Sequence, residues 1–550
     1  MSVINKRTFS LPFQLTALAS VFMLSACGGG DGSSSVATSE ISGSVFAAPV
    51  NGASVTVTDM AGNQLAGPVS TNATGHFSVS IPTVHLSDDL MFIATGGSFT
   101  DEASAELTSN TELKSIIAAS TLVQDGTVAL NLSPESSLIH RLVDQHALSL
   151  NQAHEYFEQA FGYAFDPHVL PVDATALNHN ANDAQRLAGL RAAAFSQLTQ
   201  DLGLNPTDQF ALIDLLADDL SDGELNGLEG NNPLSIANVS LNAGIQTRFA
   251  EAFIGFKNGP RHASGLNNDQ LGQLPFNRVA ISDSYKVTYI TNQMATMSGQ
   301  EQQGKSSFTL RITDLNDQAQ TGLTPTLSAM MYMQSHQHST PSISINEDPQ
   351  QAGDYLVTVY YLMPSVMMNG NSMGYWVLNV DIAGETVKFF PRVGMAMGSD
   401  TVRANLKGQD DLAPNMMGTA ESRPYYLFKQ AISQAQDNTT FKVFIATRET
   451  MMSFPLLETG LTLNTGTDQE LTVNNITVRM SSDEQDWVAA AYQQNGIWSA
   501  ELAGLTPGET AGIYVELTVN GEQKTDDGQA ADGTADNAMF NVTVPAASAM

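Results

Sequence analysis

The chain has one cysteine, Cys27, in 550 residues. No intramolecular disulfide is available, so its folded parts must rest on hydrophobic cores. Basic residues are also scarce: 23 Lys and Arg stand against 56 Asp and Glu, for a formal net charge of −33. No basic stripe exists to neutralise phosphates, which argues against nucleic acid as a partner. Acidity of this size favours solubility and attracts cations, and a solvated acidic surface accounts for most of it. Apolar runs are short. The longest, residues 11–23, falls below what a membrane-spanning helix needs, and no second run follows. Catalytic signatures are missing as well: there is no Gly-x-Ser-x-Gly elbow, no His-Glu-x-x-His, no phosphate loop and no dinucleotide fingerprint, so the expectation is a protein that is not an enzyme.

What is present begins at the N-terminus. Lys6 and Arg7 precede the 11–23 run, the arrangement of a secretory signal to be set aside in reasoning about the fold. The run ends in Leu24-Ser25-Ala26-Cys27, followed by Gly28-Gly29-Gly30. This resembles the lipobox of bacterial lipoproteins. The resemblance implies cleavage before Cys27, acylation of its sulfur and its new amine, and attachment to a membrane by acyl chains. Gly28 after the cysteine, by the same resemblance, implies the outer membrane, on its periplasmic or surface face.

Hydrophobic residues make up 42%, enough for several packed cores, and the length calls for three or four domains. The predicted class is multidomain and mainly β, with immunoglobulin-like sandwiches and an α-helical domain inserted between β regions. Residues 1–26 are the signal and 27–40 a Gly/Ser-rich flexible linker. Period-two alternation over 41–132 predicts a β-sandwich. Its Gly-x-Val, Gly-Ala-x-Val-x-Val, Gly-x-Phe-x-Val order resembles the carboxypeptidase-regulatory-like sandwich. At Ser133-Pro134 the period changes to 3.6: Ser133 can cap a helix with Pro134 in its first turn. Four to six helices are expected over 133–275, with a turn-rich connector at 255–272. Strand patterns return over 276–435 and 436–550.

Methionine is unevenly spread. Of 22, 15 lie between Met294 and Met452. Residues 330–338 place Met330, Met331 and Met333 close to His336 and His338. Thioether and imidazole are ligands that suit copper, the thioether favouring Cu(I). The alternative is packing, since methionine fills irregular cores and adaptable surfaces. Met363 has the strand parity of a core residue, whereas Met367, Met368, Met395, Met397, Met416 and Met417 sit beside Gly or Asn, in loop contexts. In extended chain His336 and His338 share one face, and so do Met331 and Met333. One imidazole pair with one or two thioethers would make a three- or four-ligand copper site. Zinc would need carboxylates, of which Glu347 and Asp348 are nearest.

The order Met333, His336, His338, Pro341, then Gly353 and Tyr355, Met363, and Gly374 and Trp376 resembles the Met/His-rich β modules of the FixH/YtkA type. That resemblance implies a copper-handling envelope module with Met331, Met333, His336, His338 and Met363 as ligands, and other copper-handling envelope proteins as partners. Elsewhere His140, His146 and His154 read as ordinary helix histidines. The acidic stretches 218–224 and 526–536 have weak calcium character; in the first, Leu220 breaks the alternate ligand pattern.

Two readings remain: a lipid-anchored copper-binding protein, for sequestration or delivery, or a surface adhesion protein of β-sandwich modules with no metal. The anchor is testable in either. Cys27→Ser is expected to abolish acylation. A variant that is still cleaved and still sediments with carbonate-washed membranes shows that Cys27 is not the anchor.

Overall fold

The computed structural model describes residues 37–122, 129–291, 300–435, 438–533 and 536–546. Cys27, the motif before it, and Met294 and Met297 lie outside the described residues. The architecture is mainly β with a helical region in the middle, as the sequence predicts.

The first sandwich pairs Thr38–Val45 with His76–Pro82 and, in parallel, with Ala129–Leu132. A second sheet runs through Gln64–Ser70, Ser54–Asp59, Leu90–Thr95 and Glu112–Ile117. Alternate residues of both sheets, such as Ile41, Val79 and Ile81 against Val55, Val57 and Phe92, form one core, as two-residue periodicity requires.

Helices start where the capping residues stand. Pro134–Asp144 follows Ser133, whose backbone N–H donates to the Ser136 hydroxyl at 2.8 Å. Asp183–Asp201 follows Asn182, whose Oδ1 accepts from the Gln185 N–H at 2.9 Å, satisfying orphan donors of the first turn. With Leu150–Phe161, Gln209–Asp219 and Ile245–Asn258 they enclose a core rich in Phe157, Phe161, Phe195, Phe249 and Phe253. The stretch expected as an exposed connector is anchored in this core: Leu266 and Leu271 are buried there.

The Met/His region is a second sandwich. One sheet runs Val279–Ile281, Tyr285–Thr291, Gly304–Asp314, Asp354–Tyr361, Ser342–Glu347; the other runs Gln337–Ser339, Thr326–Tyr332, Tyr375–Ile382, Glu385–Phe389. The C-terminal sandwich holds the sheet Arg403–Pro414, Ala420–Ala435, Asn438–Thr447, Ile497–Ala503, Ala491–Gln494 and a second sheet around Ile476–Ser481 and Thr510–Val519. Its first two strands precede residue 436, so this unit starts near Arg403 and not at 436. The turn signals inside that long hairpin, Asn415 to Gly418, resemble a boundary but only reverse the chain.

The units finish their cores on one another. Tyr375, Val377 and Phe390 of the Met/His sandwich are buried in the helical core. Tyr360 stacks on Phe444 of the C-terminal sandwich with centroids 4.2 Å apart. Cutting before residue 276 therefore strips cover from three large apolar side chains, each worth about 1.5–3 kcal/mol when fully buried. A 276–550 fragment is expected to unfold at lower denaturant than a 133–550 fragment and to bind an apolar dye. Equal midpoints overturn the shared-core account.

Candidate functional site

Three of the residues singled out in the sequence fall in or beside one cross-strand row. Met331 pairs with His338 on one side and with Trp376 on the other. Shared parity turns all three into the sandwich, where Met331 and Trp376 are 0% and His338 4% exposed. The row depends on Gly374, at φ +131°, where a Cβ would meet the Tyr332 carbonyl oxygen at 2.0 Å. Only glycine lets the Tyr375–Ile382 strand enter this close to its neighbour.

Met363 arrives from the end of the Asp354–Tyr361 strand of the opposite sheet. Its Sδ lies 3.2 Å from His338 Nε2, and its carbonyl accepts the Trp376 indole N–H at 3.1 Å. The other ring nitrogen of His338, Nδ1, lies 2.7 Å from the Ser339 carbonyl oxygen. A carbonyl only accepts, so in the neutral ring Nδ1 carries the proton and Nε2 presents its lone pair to the sulfur. Burial, above all, pushes the His338 pKa below its ordinary value; the Ser339 carbonyl pulls the other way and the Arg403 charge adds to the lowering. The ring is therefore neutral at pH 7. The result is a nitrogen and a sulfur donor facing each other with no hydrogen between them, which is the donor pair a soft cation takes.

Aromatic rings close the site. Trp376 and Phe454 meet the His338 ring edge-to-face, at 5.5 and 6.4 Å, and Tyr361 meets Trp376 at 5.0 Å. From outside, the Met451 carbonyl accepts the Ser339 N–H at 2.9 Å, so the 450–453 turn lies over the Gln337–Ser339 strand.

His336 does not join. The chain is not extended here: Met333 N–H donates to the His336 carbonyl at 2.8 Å, closing a hairpin turn. His336 is exposed in that turn, its Nδ1 2.8 Å from the Ser335 hydroxyl. The expected imidazole pair on one face is thereby corrected to a single imidazole. Met333 sits in the same turn, half-buried against the sandwich core. Met368 and Met417, in loops, are 89% and 84% exposed. Glu347 accepts from the Gly322 N–H at 2.9 Å. Among the described residues no three His, Cys, Asp or Glu side chains gather as a metal site.

A second His–Met contact escaped the sequence reading. His140 Nε2 lies 2.7 Å from Met91 Sδ, and burial, chiefly, pushes this histidine down to about 4. The partners are 49 residues apart on a strand and a helix, and no spacing rule links them. His146 instead contacts Asp218 at 2.9 Å and His154 stacks on Phe165, so the three helix histidines do not converge. Asp218 is engaged by Arg141 as well, and Asp219 accepts the backbone N–H groups of Asn226, Gly227 and Leu228.

No family model matches the chain, and neither does any curated protein. Among solved structures, the Yersinia pseudotuberculosis adhesin InvE is similar over 47% of this chain and 58% of that one, less than two thirds of its length, at 12% identity and a TM-score of 0.14. A likeness at that score says nothing of function.

Deeper in the same sandwich, Glu301 is 1% exposed and accepts the Tyr289 hydroxyl. Burial pushes it up to about 7, against hydrogen bonds from Tyr289 and Ser306 that lower it. Because the folded value is raised, its stabilising contribution is full below the ordinary value of 4.5 and is lost as pH rises through about 7. Glu301→Gln removes that dependence. Its stability relative to wild type is expected to rise by up to about 3 kcal/mol between pH 4.5 and 8, at 1.36 kcal/mol per unit, in urea titrations. A pH-independent difference shows that Glu301 titrates normally.

Proposed function

We propose that this chain is a lipid-anchored cell-envelope protein that binds Cu(I) in its Met/His sandwich, for sequestration or delivery to other copper-handling envelope proteins, without catalysis. One observation carries the reading: His338 Nε2, bare of hydrogen, faces Met363 Sδ at 3.2 Å. Met331 and Trp376 stand beside His338 in the same row. The pair supplies imidazole and thioether, Met331 is the nearest further thioether by register, and an indole ring favours a neighbouring cation. The acyl anchor on Cys27 would hold this site at the outer membrane. Met333 lies at the rim and His336 outside.

A second reading keeps the sandwiches as adhesion modules and the methionines as packing. Arg403 favours it, because its guanidinium donates to the Leu362 carbonyl, next to Met363, and opposes added positive charge at the site.

Titrating the anchor-free chain with Cu(I) under reducing conditions separates the two. One tightly held equivalent is expected, lost in His338→Gln and in Met363→Leu and kept in His336→Ala. Met363→Leu nearly conserves volume and costs less than about 1.5 kcal/mol, so its loss of metal does not reflect unfolding. Binding no tighter than micromolar, or unchanged in both site variants, leaves the adhesion reading.

A further inference from the structure

The C-terminal sandwich buries a lysine. Lys524 is 0% exposed and is the one buried lysine among the described residues. It ends Glu522–Lys524, an edge strand of one sheet, and reaches Asp411 on Arg403–Pro414, an edge strand of the other. Lys524 Nζ lies 2.5 Å from Asp411 Oδ2 and 3.0 Å from Glu522 Oε1. Two backbone hydrogen bonds between Lys407 and Thr525, at 2.6 and 3.1 Å, hold the two edges together beside this contact.

The surroundings are shaped to the pair. Asp411 stands where the register slips between Lys407 and Leu412, a bulge that re-aims the side chain. Gly408 makes the room, since a Cβ there would meet the Asp411 Cβ at 2.5 Å. Tyr425, itself buried, donates its hydroxyl to the same Asp411 Oδ2 at 2.5 Å, and its ring lies 5.4 Å from Lys524 Nζ. Burial, then the adjoining Asp411 charge, raises the Tyr425 hydroxyl well above its ordinary value, so it stays a donor.

We propose that Lys524 and Asp411 are joined by an intramolecular isopeptide bond across the two sheets. An amine, a carboxyl carbon and a proton acceptor are already held together, which removes the entropic part of the barrier. Once Glu522 has accepted a proton from the ammonium, the freed Nζ lone pair attacks Asp411 Cγ, and one Cγ–O bond then breaks. The Tyr425 hydroxyl holds Oδ2 and stabilises the negative charge that develops on it. Glu522 passes its proton on. The ammonium gives up two of its three protons, both to the departing oxygen, which leaves as water. One positive and one negative charge vanish together, so no oxidant, reductant or cofactor is consumed. The neutral amide also relieves the desolvation cost of a buried ion pair. In a chain with one cysteine, this bond would do between sheets what a disulfide does elsewhere.

Intact-mass measurement of the purified chain tests the inference. The wild-type chain is expected to be lighter than its calculated mass by one water, with trypsin failing to cut after Lys524 and the peptides carrying Lys524 and Asp411 recovered as one branched species. Lys524→Arg and Asp411→Ala are expected at their calculated masses. A wild-type chain at full calculated mass, with Lys524 cleaved by trypsin, overturns the proposal, and so does a loss of water that maps to any other pair.

Discussion

Strand register in the Met/His sandwich is the constraint on which the candidate site depends. Met331, His338 and Trp376 are opposite one another on three adjacent strands. A slip of one residue would turn the slipped strand's side chains to the opposite face. The tight 333–336 turn fixes the first pairing and Gly374 permits the second. Met363 then needs only to leave the facing sheet at the right height, which its carbonyl bond to the Trp376 indole secures. The same register sends Tyr375 and Val377, on either side of Trp376, to positions where they meet the helical core. Site and domain packing are thus two consequences of one alignment.

Much of this was legible in the sequence because it is local. Period-two and period-3.6 patterns placed the strands and helices, and Ser133-Pro134 marked the switch between them. Met363 was legible as core-facing from strand parity, and Met331 and His338 as soft donors from residue type and proximity; that these two also face the core follows only from the pairing of their strands. Local pattern misleads where tertiary context overrides it. His336 and His338 are two apart, and the inference to one face required extended chain; the backbone turns between them. Residues 403–435 read as part of the preceding unit because sheet membership follows from pairing partners, which sequence proximity does not give. Met91 with His140, and Asp411 with Lys524, come from distant segments that only the folded topology joins.

Buried polar groups show how a disulfide-free chain handles desolvation in different ways. Glu301 is held toward its neutral form by burial, beneath the Tyr289 hydroxyl. His338 is kept neutral and has its tautomer fixed by a carbonyl, which leaves a lone pair directed at the Met363 sulfur inside the sandwich. Arg423 stays charged but is surrounded by the carbonyls of Arg448, Leu412 and Gln469. Neutralisation, tautomer locking and carbonyl solvation are alternatives to a water shell.

Lys524 fits none of these three. It is as deeply buried as any side chain among the described residues, and it meets two carboxylates and an aromatic face. An ion pair in that position gains from short contacts, but it must offset the desolvation of both charges, and a well-packed neutral pair often does as well or better. Asp411 accepts from Tyr425 on the same oxygen that meets Nζ, so both donors draw charge onto one oxygen of the carboxyl group. The edge strands on which the two residues sit close the sandwich, and without a covalent tie they are where such a sandwich would open first. Condensation there would remove the charges and fasten the opening edge in a single step.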